Sequence, residues 1–278
     1  MHSTGVEQTA YLVNESRARR PDLARDPLAA AWIPDGERGG VRALWEEFAG
    51  DVYPHDDLVV SLRGRIIADT LERALEKDPD TVLVVCGAGF SSYPWLLPFR
   101  TALEVDLPAM AEAKRRRAAE LTDAGVIPRR DVRHLAADLG TADGRAAVVA
   151  AVRELAAGRP VAYVAEGLVF YLPPDDARAV ARLGAELDAH VVSAVSYWPD
   201  WAAEHRVLAD QRLWFRRRSV PEDASYLAHD ELPGLLAGGG PLEDHGPESL
   251  QRRYLDRVEV PESELIPEYV AVSWAGGR

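Results

Sequence analysis

Residues 81 to 86, Thr-Val-Leu-Val-Val-Cys, form a nearly unbroken apolar run that passes straight into Gly87-Ala88-Gly89. Apolar character at successive positions suits a strand covered on both faces, as in a parallel sheet. "TALEVD" (101 to 106), "VRHLA" (132 to 136), "VAYVAE" (161 to 166) and "HVVSAVSY" (190 to 197) have similar length and composition. Helix-like text separates these runs, so the pattern predicts an α/β chain with a doubly wound, mostly parallel sheet.

The intervening helices carry their own start and stop signals. In "PAMAEAKRRRAAEL", Pro108 occupies a first-turn position, Met110, Ala113 and Leu121 share a face, and Gly125 lies just past the end. "GRAAVVAAVRELAAG" (144 to 158) reads likewise, with Gly158 as its stop. Residues 1 to 80 read as a helical cap and 81 to 197 as the core. Residues 198 to 257 read as an aromatic and charged lid, and 258 to 278 as the final strands, all within one domain. "AGGGP" (237 to 241) reads as a loop.

With Lys plus Arg at 32 against Asp plus Glu at 45, the formal charge of −13 disfavours nucleic acid as a partner. The triples Arg115-Arg116-Arg117 and Arg216-Arg217-Arg218 read as solvated helix faces. One cysteine, no apolar run of membrane-spanning length and no export signal at the start imply a cytoplasmic protein without a membrane partner. The sequence leaves the oligomeric state open.

A ligand of such a sheet lies at the carboxyl ends of the strands. Gly87-Ala88-Gly89 follows the first strand, where glycine lets backbone approach a ligand. Asp106 ends the second and can accept both hydrogens of a ribose diol; the other reading is a helix-start acid. Asp138, after the third, can accept from an adenine amine while Leu139 packs on the ring; its other reading is a helix cap. The dinucleotide fingerprint needs a third glycine where this chain has Ser92, and Pro94 and Pro98 interrupt the helix that should begin there. An adenosine cofactor without phosphate suits the site better, which points to S-adenosylmethionine over a nicotinamide dinucleotide.

"VCGAGFSSYPWLLP", "LEVDLPAMAEAKRRRAAEL", "AADL" and "VAEGLVFYLP" resemble, in order and spacing, the leucine carboxyl methyltransferase family, which includes bacterial O-methyltransferases that tailor polyketides. "ESRARRPDLARDPLAA" (15 to 30) and "LRGRIIADTL" (62 to 71) are similar to its N-terminal elements, and the resemblance covers residues 11 to 172 well. It implies a Rossmann-like, seven-stranded class I fold and O-methylation of a small polyketide-like or aromatic molecule. It also implies roles for single residues. Arg63 would pair with the methionine carboxylate, Gly87, Ala88 and Gly89 would line the methionine portion, and Asp106 with Leu107 would hold the ribose. Asp138 and Leu139 would hold the adenine, Glu166 and Gly167 would lie near the amine and sulfonium, and Tyr171 would face the acceptor. For Arg63 a surface ion pair and for Tyr171 a core aromatic are the other readings.

One departure stands out. Family members commonly carry Asp-Thr-Arg after the glycine turn, and this chain has Ser91-Ser92-Tyr93. That leaves open a protein of this fold that binds the cofactor yet catalyses cyclisation or isomerisation. A hydroxyl acceptor gains from a positioned base whereas a carboxylate needs none. Within "SYWPDWAAEHRVLADQRLWFRRR", His205 is the base candidate, and Tyr197, Trp198, Trp201, Glu204, Trp214 and Phe215 either bury an apolar ligand or pin the lid. His134 reads as a packed strand residue, and His229 and His245 as loop residues. No spacing suggests a metal site.

Overall fold

The apolar alternation of the central strands divides the interior into two layers, one on each side of a single sheet. The computed structural model describes residues 5–218, 225–236 and 239–276. Among them are seven strands: β1 (Val82–Cys86), β2 (Thr101–Asp106), β3 (Asp131–Ala136), β4 (Val161–Ala165), β5 (His190–Tyr197), β6 (Gly239–His245) and β7 (Tyr269–Ala275). Their order is β3-β2-β1-β4-β5-β7-β6. The first five pair in parallel, and β7 runs antiparallel to both β5 and β6. The predicted doubly wound, mostly parallel, seven-stranded sheet is therefore observed.

Side-chain alternation explains why β1 and β4 are buried throughout. Leu83 and Val85 join Ala162 and Val164 in one layer, while Val82, Val84 and Cys86 join Val161, Tyr163 and Ala165 in the other. Helices cover both layers. Before β1 come α1 (Gly5–Arg19), α2 (Pro21–Ala24), α3 (Ala29–Trp32), α4 (Arg38–Asp51) and α5 (Asp56–Lys77). After β1 come α6 (Tyr93–Leu96), α7 (Pro108–Asp123), α8 (Ala142–Ala156) and α9 (Pro174–Glu186). Following β5 are α10 (Arg206–Arg216), α11 (Leu232–Leu235) and α12 (Pro247–Leu255). None of these helices is long and apolar enough to cross a membrane.

α5 presents Leu58, Leu62, Ile66, Ile67 and Leu71 to the first layer at helical spacing, and α8 and α9 present Val148, Val152, Val180 and Leu183 to the second. α7 buries Met110, Ala113, Ala118 and Leu121 against Trp32, Phe90 and Trp95. Pro108 opens α7 as predicted, and Gly125 follows its end at φ 69°. α1 packs against α3, α4 and α5, and both α1 and α5 reach the carboxyl ends of the central strands.

The last third departs from the sequence reading. Ala237 and Gly238 of the predicted "AGGGP" loop lie outside the described residues, but Gly239, Gly240 and Pro241 open strand β6. β6 therefore falls within the stretch read as lid, only β7 falls within 258 to 278, and His245 ends a strand instead of lying in a loop. The physical reason is its place at the sheet edge. β6 pairs with β7 alone, with a register shift between Gly239 and Leu242, and an edge strand tolerates proline and polar side chains. Its pairing partner, rather than its own composition, makes it a strand.

Truncating a side chain in the first layer tests this packing. Ile67→Ala removes a fully buried side chain and should cost about 2–5 kcal/mol in denaturant unfolding. Val126→Ala, at a side chain 46% exposed, should change stability by no more than about 0.5 kcal/mol.

Candidate functional site

Where β1, β2 and β4 end, the chain turns away from the sheet and leaves a cavity of about 280 Å³. Strand ends form its floor, α1 and α5 close one side, and Trp198, Phe215 and the segment Ile266–Glu268 close another. Eleven of the twelve residues proposed from sequence line it: Arg63, Gly87, Ala88, Gly89, Asp106, Leu107, Asp138, Leu139, Glu166, Gly167 and Tyr171.

The glycine turn has a steric reason. Gly87 adopts φ 66°, and a Cβ there would meet the Leu168 side chain at 3.0 Å, so a larger residue would be strained and crowded. Lys114, buried on α7, fixes the turn by donating to the carbonyl oxygens of Ala88 at 3.3 Å and Ser91 at 2.9 Å. Its charge is matched by Glu104 at 2.6 Å. Burial outweighs that attraction and pushes the Glu104 carboxyl up to about 7.

Asp106 leaves β2 with both oxygens oriented by backbone. Oδ2 accepts from Gly89 N at 2.8 Å and Oδ1 from Leu107 N at 2.8 Å. Burial raises its pKa against the pull of those two bonds. Asp138 does not cap α8: Thr141 does, accepting from Gly144 N at 3.0 Å, while Asp138 Oδ1 takes Gly140 N at 2.9 Å. Asp138 is exposed and Leu139 is buried beside it.

An ion network that sequence reading only partly located sits deeper. Arg63 Nε donates to Glu166 Oε1 at 2.7 Å, and its Nη1 to Glu268 Oε2 at 2.6 Å. Arg17 pairs with Glu166 as well, and Tyr93 Oη donates to Glu166 Oε2 at 2.6 Å. Burial opposes ionisation of Glu166, but Arg17 and Arg63 together hold it down at about 2. Glu268 is raised, because burial there outweighs Arg63. Arg63 is thus neither a surface ion pair nor free: two of its nitrogens meet carboxylates of this chain.

The Ser91-Ser92-Tyr93 departure acquires structural roles here. Ser92 Oγ accepts from Trp32 Nε1 at 2.9 Å and donates to Asp26 Oδ2 at 2.9 Å, which joins α3 to the glycine turn. Asp26 lies 3.8 Å from Arg17. Tyr93 is buried against the Arg17–Glu166 pair.

His205 is the one residue of the proposed set that the structure does not bring to the cavity. It stands at the N-terminus of α10, half-buried, with its ring 6.2 Å from that of Trp201. The lid aromatics divide between the two roles. Trp198 and Phe215 line the cavity, Trp214 packs on Phe48 at 5.0 Å, Tyr197 is buried beside His229, and Trp201 is exposed. Sequence reading missed Arg17, Asp56, Tyr93 and Glu268. Arg17 stood inside the N-terminal stretch similar to the family, whereas Glu268, in "IPEYVAV", carried no signal beyond preceding a strand.

A model described as "Leucine carboxyl methyltransferase" matches residues 6–183, well over half of the chain. The chain belongs to the leucine carboxyl methyltransferase family. Among members, it is 32% identical over 225 residues, 72% of this chain and 71% of the other, to a Mycolicibacterium gilvum protein provisionally named an S-adenosyl-L-methionine-dependent methyltransferase. A Streptomyces coelicolor protein named in the same way is 32% identical over 261 residues, covering 85% and 83% of the two chains. The fold is shared with a crystal structure of a DUF574 family protein from Streptomyces avermitilis, with TM-score 0.61, 14% identity, and coverage of 85% of this chain and 90% of that one.

For this family member, the depressed pKa of Glu166 has a stability consequence. A carboxyl at about 2 when folded and about 4.3 when unfolded favours the fold above the unfolded value, and the benefit is lost as pH falls toward 2. Glu166→Gln should therefore cost on the order of 3 kcal/mol at pH 7. The difference from the parent chain, followed by urea unfolding from pH 5 to pH 2, should shrink as Glu166 protonates.

Proposed function

We propose that this family member is an S-adenosylmethionine-dependent O-methyltransferase whose acceptor is a carboxylate or hydroxyl of a small, aromatic or polyketide-like molecule. The observation that carries this reading is the convergence of three strand-end features, the glycine turn, Asp106 and Glu166, on one cavity that α1 and α5 close. The names of its relatives support its coarser part, S-adenosylmethionine-dependent methyl transfer.

The residues present fit this cofactor. Each Asp106 oxygen takes one backbone N–H and keeps capacity for a hydroxyl of a vicinal diol. Glu166, fixed as an anion, suits an ammonium group. Leu139 offers an apolar surface to the adenine and Asp138 an acceptor for its amine. Arg63 would receive the methionine carboxylate by sharing or exchanging one of its present carboxylate partners.

When bound, S-adenosylmethionine supplies an electrophilic methyl group on a positively charged sulfur. The chain's own part is alignment and exclusion of water, and alignment by itself removes as much as about 7–11 kcal/mol from such barriers. Phe170, Trp198 and Phe215 give the acceptor an apolar wall, and Tyr171 faces it from the turn that follows Glu166. α1 and α5 contribute Arg17 and Arg63 to the same cavity, so we read cap, sheet and lid as one functional unit.

Calorimetric titration with S-adenosylhomocysteine tests the reading. The parent chain should bind it and show no heat with NAD. Asp106→Ala should weaken binding about 10- to 100-fold, the loss of charged hydrogen bonds worth about 1.5–3 kcal/mol. Preference for NAD, or no binding of either compound, would reject it.

A further inference from the structure

The family name points to a carboxylate as methyl acceptor, but the electrostatics of this cavity point elsewhere. Its lining holds Asp56, Asp106, Asp138, Glu166 and Glu268 against two cationic side chains, Arg17 and Arg63. Arg17 is committed to Glu166, with Asp26 at 3.8 Å and the Tyr93 hydroxyl at 3.5 Å. Arg63 is committed to Glu166 and Glu268. With Arg63 taken by the methionine carboxylate in the reading above and Arg17 held by Glu166, an anionic acceptor would find no further cation among the described lining residues, at a desolvation cost that no side chain of this cavity offsets.

Glu268 differs from the other buried carboxylates of this lining. Asp56 has both oxygens occupied, by Ser16 Oγ at 2.5 Å and Tyr53 Oη at 3.1 Å. Both oxygens of Asp106 are held by backbone, and both oxygens of Glu166 by Arg17, Arg63 and Tyr93. In Glu268 only Oε2 makes a hydrogen bond of normal geometry, to Arg63; Oε1 is buried without one. Its nearest help is the Ser196 hydroxyl, which accepts from Gly167 N; against burial, which raises the carboxyl, that hydroxyl pulls it down only weakly. The side chain is 5% exposed and lines the cavity on the side of Tyr171. An unpaired buried carboxylate oxygen is costly unless a ligand completes it.

We propose that Oε1 of Glu268 receives the hydroxyl of the methyl acceptor, so that this chain selects neutral phenols or alcohols and rejects carboxylates. The inference rests on the methyltransferase reading above. In the transfer, the acceptor oxygen–carbon bond forms as the carbon–sulfur bond breaks. That bond's electron pair stays on sulfur, which becomes a neutral thioether, and the hydroxyl proton passes to Glu268. Burial keeps the carboxyl above its ordinary range, the direction a proton acceptor working near neutral pH requires. His205, which does not line the cavity, is not needed for this step.

A matched pair of probes tests the assignment at pH 7 on the full chain saturated with S-adenosylhomocysteine. 1-Naphthol and 1-naphthoic acid share a ring system, and only the second is ionised. Naphthol should bind at least tenfold more tightly. In Glu268→Gln, which keeps an oxygen for Arg63, that preference should fall at least tenfold. Bound naphthol, excited beyond tryptophan absorption, should emit as naphtholate in the parent chain and as neutral naphthol in the variant, because the proton has lost its acceptor. Naphthoate binding as tightly as naphthol, binding of neither probe, or identical emission from both chains would overturn the proposal. Should Glu268→Gln fail to fold, the parent chain's selectivity decides alone. Failure of S-adenosylhomocysteine to bind would instead remove the methyltransferase reading itself.

Discussion

Four distant segments meet in the ion network of Arg17, Arg63, Glu166 and Glu268. α1 brings Arg17, α5 brings Arg63, the end of β4 brings Glu166, and the approach to β7 brings Glu268. Each charge alone would be expensive to bury, and the set persists because every member is paired. Such a network favours one arrangement of cap, sheet and C-terminal segment, since a displaced segment would leave a buried ion unmatched. It also sets the local chemistry. With two arginines beside it Glu166 stays ionised, whereas Glu268, with one, is left closer to protonation.

Around that network the sheet supplies position and the helices supply enclosure. A parallel sheet gathers the carboxyl ends of its strands on one edge, so Gly87, Asp106 and Glu166 become neighbours although they are far apart in the chain. α1 and α5 cover that edge and leave an apolar compartment with a charged wall. The buried pair Lys114–Glu104 holds the glycine turn from behind, which joins α7 and β2 to the geometry of the cavity.

The central strands were legible because each is covered on both faces, and a doubly covered strand must be apolar at successive positions. β3 was legible through its β-branched and apolar residues despite partial exposure at the sheet edge. β6 was not, because "GGPLEDH" carries turn residues and charges and is a strand only through pairing with β7. Among site residues, those tied to a strand end or a glycine turn were found by position along the chain. Arg17 and Glu268 were not, since an arginine on a helix and a glutamate before a strand have many ordinary roles. His205 lies outside the cavity lining: a histidine in aromatic text suggests a site, yet the chain between Trp198, which lines the cavity, and α10 does not bring its ring there.

What the sequence by itself determined is the alternation of strands and helices, the glycine turn, the acids at the strand ends and membership of the leucine carboxyl methyltransferase family. All of these are local patterns, written in neighbouring residues by steric and hydrophobic rules. Only the tertiary structure decided which charges pair, that both cavity arginines are committed, and that Glu268 keeps an oxygen unbonded. Charge pairing depends on distances across the fold, and burial changes what each distance is worth, so no reading along the chain could supply it.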